Sequence, residues 1–270
     1  MAEAPECAVF SDFLDTFSGS TLVAVDAKQK YDVEGLTGKK LVRVLSVGKS
    51  ILFTFDDKDA IEIESVPGRS GSWTSAVENS NYEIKFLFRS ETEDRLAFFC
   101  ANEEDKSVVW RKVTPTYISS LSYCVIRDAP DITFEYIRKK ARQRPSMTVS
   151  TFLCDQSVVS GIGRYLKSDI IFNTRINPHM KMVQFTDAEL ATLTKNILFV
   201  AKLSYKAGGC ESATKCTMPG KDGMYIPFIF GRAKFTSDKG LEYPVIHESI
   251  GKSATYWVDW DAIAADDEEE

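Results

Sequence analysis

Asp155-Gln156-Ser157-Val158-Val159-Ser160-Gly161-Ile162-Gly163-Arg164-Tyr165-Leu166, followed by Ile176-Asn177-Pro178, is the stretch on which the reading of this chain turns. Two closely spaced glycines let the backbone approach a phosphate closely, and the helix that follows offers unpaired amide donors at its positive end. Such a segment can clamp a phosphate. An ordinary helical hairpin packed for stability fits the same residues, so the flanking sequence has to decide.

Around this stretch, from about Asp131, apolar residues recur at helical spacing and predict helices near 131–143, 147–156, 164–174 and 187–206. Thr186-Asp187-Ala188-Glu189 has the form of a capping box that starts the last of these, and Gly208 and Gly209 suit its end. Beyond Met224 short strands are predicted at Tyr225–Phe230, Tyr243–His247 and Ala254–Val258, separated by Asp238-Lys239-Gly240 and Gly251, giving a small hairpin subdomain. The acidic end after Ile263 is expected to be disordered.

Towards the amino terminus the period changes. Residues 20–112 alternate apolar and polar side chains, as in Leu41-Val42-Arg43-Val44-Leu45, Ile51-Leu52-Phe53-Thr54-Phe55 and Ile61-Glu62-Ile63. Tyr82–Phe88, Leu96–Cys100 and Val108–Trp110 continue the series, and a two-sheet sandwich or barrel buries their inner faces most simply. Pro5 suits a first helical turn, and Val9, Phe10, Phe13, Leu14 and Phe17 follow at helical spacing. That helix would pack on the sandwich and hold the amino terminus in place. The fold class is therefore α+β, with a β-rich first half and a helical second half.

The chain has 270 residues, 44% of them hydrophobic and 27% charged, enough for one large core or two modest ones. No apolar run approaches the roughly 18 residues of a membrane span, and no basic flank precedes an apolar stretch at the start. The expectation is an intracellular protein without a membrane partner. Six scattered cysteines form no Cys-x-x-Cys pair, so no metal and no cofactor are expected. The net charge of −6 argues against a polyanionic partner, yet Asp261 and the run Asp266-Asp267-Glu268-Glu269-Glu270 supply six negative charges, and the remainder is neutral. Arg138, Lys139, Lys140, Arg142 and Arg144 lie within seven residues, which is either a solvated helix face or a phosphate-facing surface.

The quoted glycine stretch, with Asp-Gln before it and Ile-Asn-Pro after it, resembles the helix-two-turn-helix signature of the formamidopyrimidine-DNA glycosylase and endonuclease VIII family. The opening Met1-Ala2-Glu3-Ala4-Pro5-Glu6 is similar to the family's Met-Pro-Glu-Gly-Pro-Glu, and Val47-Gly48-Lys49-Ser50-Ile51-Leu52 to the segment carrying its catalytic lysine. Ser70-Gly71-Ser72-Trp73 resembles a loop that enters DNA near the lesion. Phe230-Gly231-Arg232, Asp238-Lys239-Gly240 and Gly251–Trp257 resemble the family's β-hairpin finger, without its zinc cysteines, as in endonuclease VIII-like members with a zincless finger. This resemblance implies a β-sandwich catalytic domain over 1–127, a helix-two-turn-helix DNA-binding domain over 128–222, a zincless-finger hairpin over 223–262 and an acidic tail over 263–270.

The function so implied is base-excision repair by a DNA glycosylase with AP lyase activity on oxidised bases. The amine freed when Met1 is removed, here on Ala2, attacks the sugar carbon and forms a Schiff base; a primary amine can replace proline's secondary one if it is neutral near pH 7. By resemblance Glu3 gives and takes protons, Lys49 holds a phosphate or assists proton transfer, and Glu6 supports the first helical turn. Gly163 and Arg164 belong to the phosphate clamp, Arg69 to the void left by an everted base, and Lys252 to the finger. Arg164, Lys252 and Arg69 stand where the family has asparagine, arginine and methionine. The partner implied is damaged DNA, double- or single-stranded, bound by a monomer. A damaged-DNA-binding relative with impaired catalysis is the alternative.

Overall fold

Alternation across residues 20–113 resolves into two antiparallel four-stranded sheets packed face to face. The chain is described by a computed structural model over residues 2–28, 31, 33, 35–56, 62–68, 70–75, 82–102, 104–114, 122–211 and 223–268, with 62, 63 and 266–268 described by backbone alone. Strands β1 (Thr21–Ala27), β2 (Leu41–Val47), β3 (Ser50–Phe55), β4 (Glu62–Val66), β5 (Ser72–Thr74), β6 (Ile84–Arg89), β7 (Asp94–Cys100) and β8 (Val109–Val113) form sheets ordered β1-β6-β7-β5 and β2-β3-β4-β8. Between them Trp73 lies 5.4, 5.6 and 5.2 Å from the ring centres of Phe53, Phe86 and Phe99. Each such aromatic contributes about 1.5–3 kcal/mol by leaving water.

Helix α1 (Ala4–Asp15) carries Pro5 in its first turn and buries Phe10 and Leu14 in this core, as its apolar spacing predicts. Ala4, at its first residue, packs instead into the core of the second half. The amino terminus therefore lies where the two halves meet, and the Tyr205 hydroxyl donates to Asp12 across the same boundary.

Among the described residues, the core of the second half is built by helices α2 (Phe134–Arg142), α3 (Val149–Cys154), α4 (Arg164–Thr174) and α5 (Asp187–Lys206). The capping box at Thr186 forms, with Glu189 N–H donating to Thr186 Oγ1 at 3.2 Å and Thr186 N–H to Glu189 Oε2 at 2.7 Å. Gly208 and Gly209 adopt φ of +78° and +96°, ending α5 as expected. In α4 every residue from Tyr165 to Ile171 is buried, because the helix is wedged between α5, α3 and the last hairpin. Among the described residues no helix is long and apolar enough to cross a membrane.

The carboxy-terminal region pairs β9 (Lys234–Thr236) with β10 (Glu242–Pro244), and β11 (Ile246–Ile250) with β12 (Ser253–Trp257). The strand expected at Tyr225–Phe230 is absent: the amides of Phe228, Ile229 and Phe230 bend onto the buried Asp169 carboxylate, which a ladder would prevent. The disorder expected after Ile263 is also corrected. A helix, α6 (Trp260–Glu268), continues through that segment, with Ile263 buried and Trp260 5.3 Å from the Phe172 ring. Alanines at 262, 264 and 265 favour the helix and the two anchors dock it.

Candidate functional site

The extended residues before α1 enter the groove between the β2–β3 turn and the start of α4. Gly161 has φ of +102°, and a Cβ placed there would lie 2.3 Å from the Ala4 Cβ. A Cβ on Gly163 would lie 2.3 Å from Glu3 Oε1 and 2.8 Å from Lys49 Nζ. The two glycines of the signature thus admit the protein's own first residues. On the other wall Gly48, φ +59°, sits where a Cβ would be 3.0 Å from the Ser160 Cβ, which brings the Lys49 turn against the same loop.

This packing decides what the amide donors at the start of α4 do. Gly163 and Tyr165 donate to the Glu3 carboxylate at 2.6 and 3.1 Å, and Leu166 donates at 3.3 Å. The sequence reading left those donors unpaired for a phosphate; the structure corrects it, since a carboxylate of the chain already occupies the positive end of the helix. Gln156 ties the loop together by accepting from the Gly161 amide and donating to the carbonyls of Cys154 and Ile162.

Glu3 is almost fully buried, and burial is the main reason its pKa rises from 4.5 to about 7. The Lys49 ammonium and the two amides oppose the rise, while Glu6 adds to it. A carboxyl so poised can give and take a proton near neutral pH. Glu6 is fully buried, and burial raises its pKa as well. It accepts from Glu3 N–H at 2.7 Å, the Tyr165 hydroxyl at 2.9 Å and Cys210 N–H at 2.7 Å. One side chain therefore fastens the first turn, the signature helix and the segment after α5. Ala2 is 5% exposed, and its nitrogen donates to the Gly68 carbonyl at 3.0 Å.

Ala2, Glu3, Glu6, Lys49 and Gly163 come together in this groove, with the exposed Arg164 at its lip. Lys252 is exposed at the β11–β12 turn, where a Cβ on Gly251 would meet Thr151 Oγ1 of α3 at 3.2 Å. Arg69 lies outside the described residues. Of the Ser70–Trp73 stretch, Ser70 is exposed, while Ser72 and Trp73 are buried in β5. Of the basic run, Arg138 and Arg142 both pair with Asp187, and Arg144 pairs with Asp155, so those charges hold helices together. Among the described residues no cluster of three His, Cys, Asp or Glu side chains is arranged to hold a metal.

Sequence reasoning missed Tyr165, which carries Glu6, and Asp169, which accepts from the Tyr225 hydroxyl at 2.6 Å and from the amides of Phe228, Ile229 and Phe230. It also missed Lys167, fully buried, which donates to Thr255 Oγ1 at 2.8 Å and Ser253 Oγ at 3.2 Å. Nothing in the local pattern marks them, since charges at 167 and 169 look like a solvated face.

No family model matches the chain. It is 23% identical over 234 residues to the formamidopyrimidine-DNA glycosylase of Bacillus licheniformis, covering 82% of this chain and 81% of that one. To the endonuclease 8 of Pectobacterium carotovorum it is 24% identical over 219 residues, 77% of this chain and 81% of the other. With the formamidopyrimidine-DNA glycosylase of Vibrio atlanticus it shares 32% identity over 105 residues, a match spanning 38% of this chain and 39% of that protein. Its fold matches the crystal structure of MutM (Fpg) from Thermus thermophilus with a TM-score of 0.77 at 17% identity, over 94% and 96% of the two chains. A Lactococcus lactis Fpg in complex with DNA containing an abasic site aligns with a TM-score of 0.76 at 16% identity, over 95% and 98%. These relatives span both halves of the chain, which has the fold of the formamidopyrimidine-DNA glycosylase structures and is similar in sequence to formamidopyrimidine-DNA glycosylases and endonuclease 8 proteins.

Proposed function

We propose that this protein is a base-excision-repair DNA glycosylase with AP lyase activity, acting on oxidised bases in DNA. The observation that carries the reading is Glu3, a buried carboxyl whose pKa lies about 7, next in sequence to Ala2 and facing Lys49. Once Met1 is removed, the Ala2 amine attacks the sugar carbon of an everted nucleotide. Removal of Met1 turns the Ala2 peptide nitrogen, which donates to the Gly68 carbonyl, into an amine with a nucleophilic lone pair. Protonated Glu3 assists opening of the sugar and then, as carboxylate, accepts a proton during elimination. Lys49 stabilises negative charge that develops at the neighbouring oxygens. Arg164 and Lys252, both exposed, grip the backbone across the groove.

The domain reading that accompanies this proposal assigns catalysis to 1–127, helix-two-turn-helix DNA binding to 128–222 and a zincless finger to 223–262. A second reading, damaged-DNA binding with impaired catalysis, is favoured by one feature, the burial of Ala2. Incubation with a duplex carrying an oxidised pyrimidine or a formamidopyrimidine separates them. Release of the free base with strand scission supports the enzyme; tight binding with an intact strand supports the second reading.

A further inference from the structure

Lys167 occupies an unfavourable place for a cation. It is fully buried, in the first turn of α4, at the positive end of the helix dipole. Its acceptors are all neutral: Thr255 Oγ1 at 2.8 Å, Ser253 Oγ at 3.2 Å and the Ser253 carbonyl at 3.4 Å. Burial lowers its pKa, Arg164 and Lys49 lower it further, and Cys154 and Glu3 raise it in part. No carboxylate forms an ion pair with it among the described residues. A buried cation without a counter-charge costs stability, and an arriving anion would remove that cost.

The geometry also says how such an anion would be felt. Ser253 is half-buried beside the exposed Lys252, at the β11–β12 turn. Its oxygen accepts from Lys167 at 3.2 Å and from the Cys154 thiol at 3.8 Å, so the hydroxyl proton is directed away from both donors. A hydroxyl polarised from behind by an ammonium is a strengthened donor.

We propose that Lys167 and Ser253 form the inner half of a phosphodiester site at the hairpin tip, in which the Ser253 hydroxyl donates to a backbone phosphate that Lys252 contacts from outside. Lys167 is a positioning residue in this arrangement: it acts on the phosphate through Ser253 and through its charge. The identity of the anion as a nucleic-acid phosphate rests on the DNA-binding reading above.

The test compares wild type, Lys167→Met, Ser253→Ala and the double variant. Affinity is measured for a duplex containing a tetrahydrofuran abasic-site analogue across a potassium chloride series, and thermal melting is measured with and without inorganic sulfate. Lys167→Met is expected to weaken binding about tenfold and to flatten the log–log salt slope by about 0.9. Its melting temperature without anion is expected to equal or exceed that of wild type, which a merely structural lysine would not allow. Ser253→Ala weakens binding severalfold, and the double variant binds no worse than Lys167→Met, because one residue acts through the other.

Unchanged affinity and salt slope in Lys167→Met, or additive losses in the double variant, would overturn the proposal while leaving DNA binding intact. Sulfate that stabilises wild type but not Lys167→Met, with no duplex binding by either, would keep the anion site and remove DNA as its ligand. Should Lys167→Met not fold, a turn variant Ser253→Ala with undiminished affinity would be enough to refute it.

Discussion

The Glu3 carboxylate accepts a 2.6 Å hydrogen bond from the Gly163 amide, joining the start of the chain to the start of its signature helix. The donors that make a helix start attractive to phosphate are here used to seat an acid.

That seat sets a pH dependence. The Glu3 pKa in the folded protein is about 7 against 4.5 for the free side chain, so the folded state binds the extra proton between those values. Its contribution to stability is full below pH 4.5 and is lost as pH rises through 7. Over that window the slope attributable to this one group is at most about 1.4 kcal/mol per pH unit. Urea unfolding of Glu3→Gln from pH 4 to 8 should show a shallower fall than wild type. Parallel curves would show that Glu3 does not titrate there.

Gly163→Ala and Gly161→Ala should fail differently. The first meets the Glu3 carboxyl at 2.3 Å with ordinary backbone, whereas the second meets the Ala4 Cβ at 2.3 Å and also strains a φ of +102°. Gly163→Ala is expected to fold and to lose about a hundredfold in base release through displacement of Glu3. Gly161→Ala should show a large fall in melting temperature.

Glu6→Ala strands three buried partners: the Glu3 amide, the Tyr165 hydroxyl and the Cys210 amide. At about 1–3 kcal/mol for each unsatisfied group, partly relieved by water entering the gap, a destabilisation of roughly 3 kcal/mol is expected in denaturant titration. Tyr165→Phe removes one of the three bonds and should cost about 1 kcal/mol.

Asp169→Ala releases the Tyr225 hydroxyl and the amides of Phe228, Ile229 and Phe230. Limited proteolysis should then cut between 224 and 233 at protease levels that leave wild type intact, while α5 remains protected.

Arg164→Ala should weaken binding to every DNA sequence alike by about tenfold, because a phosphate contact carries no base information. An effect on one sequence alone would remove Arg164 from the phosphate contacts.

The larger architecture was legible because it rests on periodicity. Alternation around Phe53 and Phe86 marked strands, and Thr186 with Glu189 marked the start of α5. The functional groove was legible only through the resemblance carried by Ala2-Glu3, Lys49 and Gly161-Ile162-Gly163. Spacing alone could not say that Glu3 would take the α4 amides, because the pairing joins residues 160 positions apart. Lys167 and Asp169 were invisible for a related reason: α4 is buried on all sides, so its sequence has no apolar stripe to set a buried charge against. The strand expected at Tyr225–Phe230 gave way to Asp169 in the same manner, by a tertiary partner that no local window contains.

Borohydride trapping on a duplex with a single abasic site, followed by peptide mapping of the adduct, tests the central claim most directly. With intact mass confirming that Met1 is removed and the new terminus unblocked, the account predicts a covalent adduct on the Ala2 nitrogen, strongly reduced in Glu3→Gln. An unblocked terminus that yields no adduct, or an adduct mapped to a lysine, would contradict it.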